Sequence, residues 1–371
     1  MKLIGILTTS RPALGGTYQY TLSMIDALKQ IPQYEYTIYT TAENRSYDHV
    51  GLPIVRLPGA LRTAGSYVGS KLLRLSRFDR FSGVDAIISP IYSTRLLATA
   101  RPFVFTLHDL QERYLPENFS LAQRAWRNLA NSALARRARF IICESNHVKG
   151  DIRRFLNVEE SRIAVIPAPP VSSLTPPSKS GAGDASHAGR IAFPDKFIFY
   201  PAQFFKHKNH ARLIDAFACV LRDHPDCHLV LTGQPKYEFA NVTAQIAKLG
   251  IRERVVHLGY VETDVIALAY ARATLVVVPT LFESVSIPVY EAFIMGAPVC
   301  AANVTALPDQ IGDAGVLFDP YSVDDIARKI NLMLSDESLR EKLVARGRER
   351  IGLLSGTWYR NQLAALLARL A

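Results

Sequence analysis

The 371-residue chain has no run of about 18 uncharged apolar residues, so no segment reads as a membrane-spanning helix. The opening apolar run of residues 1–7 is short, meets Thr8-Thr9-Ser10-Arg11-Pro12 and has no small-x-small cleavage pattern. It reads as a first buried strand rather than a signal peptide. Cysteine is scarce: Cys143, Cys219, Cys227 and Cys300 form no C-x-x-C. A chain this long needs no disulfide framework, so the expectation is reduced thiols in a cytoplasmic protein. D-x-D, H-E-x-x-H and a Cys/His quartet are all missing, which removes the common metal signatures. His207 and His210 make an H-x-x-H, but they flank Lys208, and the expectation is no metal and no cofactor. Charged residues are only 20% and hydrophobic ones 49%, which excludes a largely disordered chain.

Charge is present but uneven. Residues 1–170 hold 22 Lys/Arg against 13 Asp/Glu, and residues 171–371 hold 21 against 20. A basic half beside a neutral half suggests that the first half faces something anionic. Nucleic acid lacks any accompanying motif. An anionic membrane surface fits two basic, apolar-interleaved stretches. One is 61–81, with Arg62, Lys71, Arg74, Arg77 and Arg80; the other holds Arg124, Arg127, Arg136, Arg137 and Arg139 with Trp126 and Leu129. An ordinary solvated helix face explains either stretch as well.

Length predicts two domains. Short apolar runs at 3–7, 36–39, 86–90, 103–106, 139–143 and 163–167 are separated by helical stretches, as at 18–30. This is the pattern of a parallel sheet covered on both faces. A Pro/Ser/Gly-rich stretch at 169–190 reads as linker and mobile loop. The alternation then resumes, with strands at 197–200, 227–232, 255–259, 274–278, 298–301 and 316–318 and helices at 210–221, 241–248, 265–272, 322–334, 336–350 and 357–371. The expected architecture is α/β: two facing doubly wound Rossmann-like domains with ligands in an interdomain cleft. The boundaries are 1–168, linker 169–190, 191–354, and a C-terminal helix at 355–371 returning to the first domain.

Two local features carry chemistry. Gly15-Gly16 follows the first strand and opens a helix, where backbone can approach a phosphate, although a plain glycine turn reads the same way. The second feature is Glu283-Ser284-Val285-Ser286-Ile287-Pro288-Val289-Tyr290-Glu291, after the strand at 274–278. Pro288 suits a first helical turn. The amides of Ser284, Val285, Ser286 and Ile287 could then cradle a diphosphate at a positive helix end, with Glu283 and Glu291 taking sugar and ribose hydroxyls. Alone, two glutamates eight apart are ordinarily solvent-facing.

This segment resembles the E-x7-E signature of retaining nucleotide-sugar glycosyltransferases with the GT-B fold, family 4, which includes bacterial mannosyl- and rhamnosyl-type transferases. The resemblance covers nearly the whole chain through Gly15-Gly16, Phe105-Thr106-Leu107-His108-Asp109-Leu110, the segment 143–152, the basic segment 199–209, Gly296-Ala297-Pro298-Val299 and the segment 314–320. It implies that Glu291 binds the donor ribose, Glu283 the transferred sugar, Lys208 the diphosphate, and that His108 positions the sugar. Gln203 stands where the family usually has an arginine, and Lys206 could supply that charge. Gly233 closes the following strand in the same site. Ser284 and Ser286 replace common glycines. The resemblance further implies a metal-independent transfer from a nucleotide-diphosphate sugar, GDP-mannose-like or other, to a glycan or lipid-linked acceptor in lipopolysaccharide-type polysaccharide biosynthesis. With the basic stretches, the expected location is cytoplasmic, with peripheral contact at the inner face of the cytoplasmic membrane as the further option. A GT-B epimerase and a degenerate glycan-binding protein are the rival readings; a phosphorylase would be a much longer chain.

Overall fold

The structure, a computed structural model, describes residues 2–12, 15–58, 81, 83–168, 174 and 192–370. It divides into two compact units, Met1–Pro169 with Leu354–Ala371, and Pro170–Leu353. The basic residues Arg62, Lys71, Arg74, Arg77 and Arg80, and nearly all of the stretch read as a linker, lie outside the described residues.

The first unit runs β1 Lys2–Leu7, α1 Gly16–Lys29, β2 Tyr34–Thr41, β3 Ile54–Leu57, β4 Ala86–Ser89, β5 Phe103–Thr106, α2 Leu121–Arg137, β6 Phe140–Cys143, α3 Asn146–Leu156 and β7 Ile163–Val165. Its sheet is wholly parallel, in the order β3-β2-β1-β4-β5-β6-β7. Strands β4, β5 and β6 are buried throughout, because helices cover both faces and leave no solvent side for polar alternation. The order reverses between β1 and β4, where Ile4 pairs with Ala86 and Ile6 with Ile88. A doubly wound sheet offers its ligand crevice at the carboxyl ends of such strands.

The second unit runs β8 Phe197–Pro201, α4 His210–Asp223, β9 His228–Thr232, α5 Phe239–Lys248, β10 Val255–His257, α6 Thr263–Arg272, β11 Leu275–Val278, α7 Ile287–Met295, β12 Val299–Ala302, α8 Leu307–Ile311, β13 Gly315–Phe318, α9 Val323–Ser335 and α10 Glu337–Gly352. This sheet is also parallel, in the order β10-β9-β8-β11-β12-β13, with its reversal between β8 and β11. The chain then returns to the first unit as α11, Gly356–Leu370. Tyr359, Leu363, Leu366, Leu367 and Leu370 of α11 are buried in one cluster with Ile4 and Ile6 of β1 and Met24, Ile25 and Leu28 of α1.

One strand escapes the sequence reading. β3, Ile-Val-Arg-Leu, lies at the sheet edge and is buried only at Leu57. Its Arg56 turns back to donate to the Asn44 carbonyl at 2.6 Å and to pair with Asp48 at 2.5 Å.

Candidate active site

At the second unit's reversal point two loops leave neighbouring strands and brace each other. From β8 the chain passes Gln203, makes a single 3-10 turn at Lys206–Lys208 and enters α4. From β11 it passes Thr280 and Glu283 and enters α7. The His207 carbonyl accepts from the Leu281 amide at 2.7 Å and from the Thr280 hydroxyl at 3.0 Å. Asn209, at φ 60, is buried and donates to the Pro279 and Pro320 carbonyls, each at 2.9 Å. Asparagine is among the few residues that enter the left-handed region at low cost. Tyr200 fixes the Lys208 carbonyl at 2.8 Å. These constraints set the Lys208 ammonium against Glu283 Oε1 in a direct ion pair.

Glu283 is held by its backbone as well. Its amide donates to Thr305 Oγ1 at 3.0 Å, and the same hydroxyl donates to its carbonyl at 2.7 Å. Glu291 lies one turn into α7, and its Oε2 accepts from the Tyr270 hydroxyl at 2.6 Å. Burial pushes the Glu291 carboxyl above its ordinary range, and the Tyr270 bond offsets part of that rise. Tyr270 is itself buried edge-on to Phe199.

The expected amide cradle is corrected at one position. The Ser286 amide is engaged by Gln310 Oε1 at 2.8 Å, and Gln310 Nε2 donates to the Ser286 carbonyl at 2.7 Å. The Ser286 backbone amide is therefore taken up by Gln310 and is not open to a ligand. Among the described residues the amides of Ser284, Val285 and Ile287 have no protein partner. They sit at the positive end of α7, whose N-cap makes no side-chain cap bond.

Gly233 follows β9 at φ 121, and a Cβ there would stand 2.5 Å from the Ala202 carbonyl oxygen. Glycine is required at this position so that two loops can touch. Gln203 and Lys206 are exposed beside them. His207 and His210 flank Lys208. His210 is buried and stacked on Phe204 with ring centroids 4.2 Å apart. Burial, with Lys208 nearby, pushes the His207 imidazole down to about 4 and that of His210 to about 3. Both are neutral at pH 7, which leaves the local positive charge to Lys206 and Lys208. Among the described residues no three His, Cys, Asp or Glu side chains cluster as a metal site.

In the first unit, His108 stands just past β5. Its Nδ1 lies 2.7 Å from Glu144 Oε2 and its Nε2 3.0 Å from the Pro90 carbonyl. The Tyr20 ring meets it edge-on at 4.7 Å. Burial alone would lower the imidazole pKa; the Glu144 bond and charge, Asp109 and the Pro90 carbonyl outweigh it and hold the group above its ordinary value. Glu144 has no role in the sequence reading, because its partner is 36 residues away. The loop after His108 is tied down further. Arg127 binds Asp109 at 3.0 Å and Glu112 at 2.8 Å, and Tyr114 donates to Asp151 at 2.5 Å. Arg127 thus leaves the group of basic residues read as membrane-facing. Leu121, Trp126 and Leu129 do stand out from α2, at 79%, 57% and 62% exposure, with Arg124 exposed beside them.

Gly15, at φ 56, is the N-cap of α1 with no side-chain cap, and Gly16 is the first helical residue. A hydroxyl network supports the loop before them. Ser10 Oγ lies 2.5 Å from the Tyr47 hydroxyl and 3.0 Å from Thr21 Oγ1, and Asn44 donates to the Ser10 carbonyl at 2.9 Å.

Two Rossmann-like parallel units in one chain are the GT-B architecture. The chain belongs to the GT-B glycosyltransferases of this family: residues 14–169 match the Glycosyltransferase Family 4 model and residues 186–350 the Glycosyl transferases group 1 model. It is 29% identical over 246 residues to O-antigen chain mannosyltransferase B of Escherichia coli, a match spanning 66% of this chain and 64% of that protein. It is 22% identical to O-antigen chain mannosyltransferase RfbU of Salmonella typhimurium, over 85% of this chain and 86% of that one. In fold it is similar to Anabaena HepE, solved in complex with UDP and glucose, with a TM-score of 0.73, 20% identity and coverage of 99% and 100%.

Proposed function

We propose that this chain is a glycosyltransferase that moves a sugar from a nucleotide-diphosphate sugar to a hydroxyl of a growing glycan of the O-antigen or lipopolysaccharide type. The observation that carries the reading is the β8/β11 crossing. Lys208 and the unpartnered amides of Ser284, Val285 and Ile287 supply positive charge where a diphosphate leaves, and Glu291 supplies an acceptor for ribose hydroxyls. Such preorganised donors stabilise charge that grows in the transition state. The mannosyl names of the two relatives favour a GDP-mannose-like donor. The lysine and helix end offer a metal-free way to neutralise the leaving group. We read the transfer as retaining, by front-face attack of the acceptor hydroxyl. In that step the acceptor oxygen bonds to the anomeric carbon as the carbon–oxygen bond to the diphosphate breaks, and the acceptor proton passes to the departing phosphate oxygen.

The acceptor is read as lipid-linked, and the exposed Leu121, Trp126 and Leu129 beside Arg124 suit contact with an anionic bilayer at the cytoplasmic face. No helix among the described residues is long and apolar enough to cross a membrane. One experiment tests the main reading. A thermal-shift series with nucleotide-diphosphate sugars should show one donor raising Tm, by about 2.7 kcal/mol of linkage at a hundredfold excess over Kd. Transfer of its sugar to a glycan acceptor should persist in EDTA. A flat series across all donors removes the glycosyltransferase assignment, and loss of transfer in EDTA with rescue by Mg²⁺ removes the metal-free one. Sedimentation with anionic vesicles, weakening as salt rises, checks the membrane reading.

A further inference from the structure

His108 is enclosed by two acceptors. The Pro90 carbonyl can only accept, so Nε2 must carry a hydrogen to bond it at 3.0 Å. The Glu144 carboxylate, 2.7 Å from Nδ1, also accepts when ionised, so Nδ1 must carry a hydrogen as well. An imidazole with both nitrogens protonated is a cation. The surroundings suit one. Glu144 is side-chain buried to all but 11%, which strengthens the pairing, and the Asp109 carboxylate follows in the same loop. Tyr20, packed edge-on from α1, is kept neutral by burial and bonded through its hydroxyl to Thr106 Oγ1 at 3.0 Å. Pro90, Asp109 and Glu144 lie just past β4, β5 and β6, Tyr20 belongs to α1, and Tyr359 of α11 is close enough to Tyr20 and Glu144 to interact with both.

We propose that Glu144 is a positioning residue that holds His108 as an imidazolium, a donor of two hydrogen bonds and never a proton acceptor in transfer. The proposal rests on the reading of this chain as a glycosyltransferase with His108 beside the sugar. It deepens that reading in two ways. A bound hydroxyl meets His108 as an acceptor, by replacing the Pro90 carbonyl on Nε2–H. The acceptor substrate's proton is not taken by His108, so it leaves with the diphosphate.

The test needs no substrate for its first arm. Full-length protein labelled with ¹⁵N at histidine, with His108 assigned by its loss in His108→Gln, should show both ring nitrogens protonated at pH 7. Its titration midpoint should lie above the ordinary value near 6.5. Glu144→Gln keeps an oxygen acceptor but removes the charge, and should lower that midpoint by about one to three pH units. Glu144→Asp should fall between the two. A neutral His108 at pH 7 in the wild type, or a Glu144→Gln midpoint equal to wild type, overturns the proposal. If Glu144→Gln unfolds, the wild-type titration alone decides. The second arm uses whichever donor raises Tm. The alkaline fall in kcat/KM should follow the NMR midpoint in wild type and in Glu144→Asp. Rates indifferent to that midpoint, with the NMR shift intact, count against His108 as a contact of the sugar and leave the dyad standing.

Discussion

Glu291 is a carboxylate in an unfavourable place. Burial raises its pKa, and the Tyr270 hydroxyl returns only part of the lost hydration. A group whose folded pKa is raised contributes stability below its unfolded value, near 4.3, and loses it as pH climbs through the folded value. Glu291→Gln keeps an oxygen for Tyr270 and removes the charge. Its Tm relative to wild type should therefore rise between pH 4 and pH 8, while nucleotide affinity falls about ten- to a hundredfold for one lost charge-assisted bond. Differential scanning fluorimetry and calorimetry check the two halves; a Tm gap that narrows with pH refutes the first. Lys208→Ala should cut kcat at least about tenfold and leave Glu283 without its cation, so steady-state kinetics should show a larger fall than binding does. The glutamate pair alone read as solvent-facing, and only the resemblance of the whole segment 283–291 marked it as a site. Gln310 and Thr305 were not legible, since each reaches the site from 20 or more residues away with no local pattern to mark it. Glu144 was hidden for the same reason.

The buried strands were legible because two-sided burial writes itself as continuous apolar runs, as in Phe197-Ile198-Phe199-Tyr200. β3 was not, because an edge strand with Arg56 in its middle has no such run. The site helix α7 depends on an element with no part in the chemistry. α10 lies against it, and Gly347 of α10 is so close that a Cβ would stand 2.6 Å from the Phe293 ring. An aromatic side chain in a filled core cannot give way cheaply. Gly347→Leu should destabilise the protein by about 1–3 kcal/mol by overpacking. It should also weaken donor binding, because Glu291 sits two residues before Phe293. Urea melts and donor titrations measure both; a neutral variant would mean that the two helices slide apart freely.

At the scale of the molecule, each unit has a core of its own, but only the second is continuous in sequence. Leu363 and Leu367, fully buried, belong to the core of β1 and α1 more than 330 residues earlier. Arg360 reaches Gln30 at 2.8 Å, and Arg369 lies over the Phe140 ring at 4.4 Å. Deleting residues 354–371 should therefore melt or proteolytically expose the first unit and leave the second folded. Limited proteolysis with mass spectrometry would read this directly, and equal protection of both units would contradict it.

The discontinuity inverts the order of events on the ribosome. The segment 1–169 is made first, yet its hydrophobic core stays open until α11 emerges, while the second unit can close as soon as residue 353 is clear of the exit tunnel. At about 5–20 residues per second, the intervening 170–353 keep that core waiting on the order of ten to forty seconds. During this interval the parallel strands β1, β2 and β4 expose an apolar face to other nascent chains. Of the two units, the one whose first segment is made earlier is thus the last to be finished, and the one most in need of a chaperone.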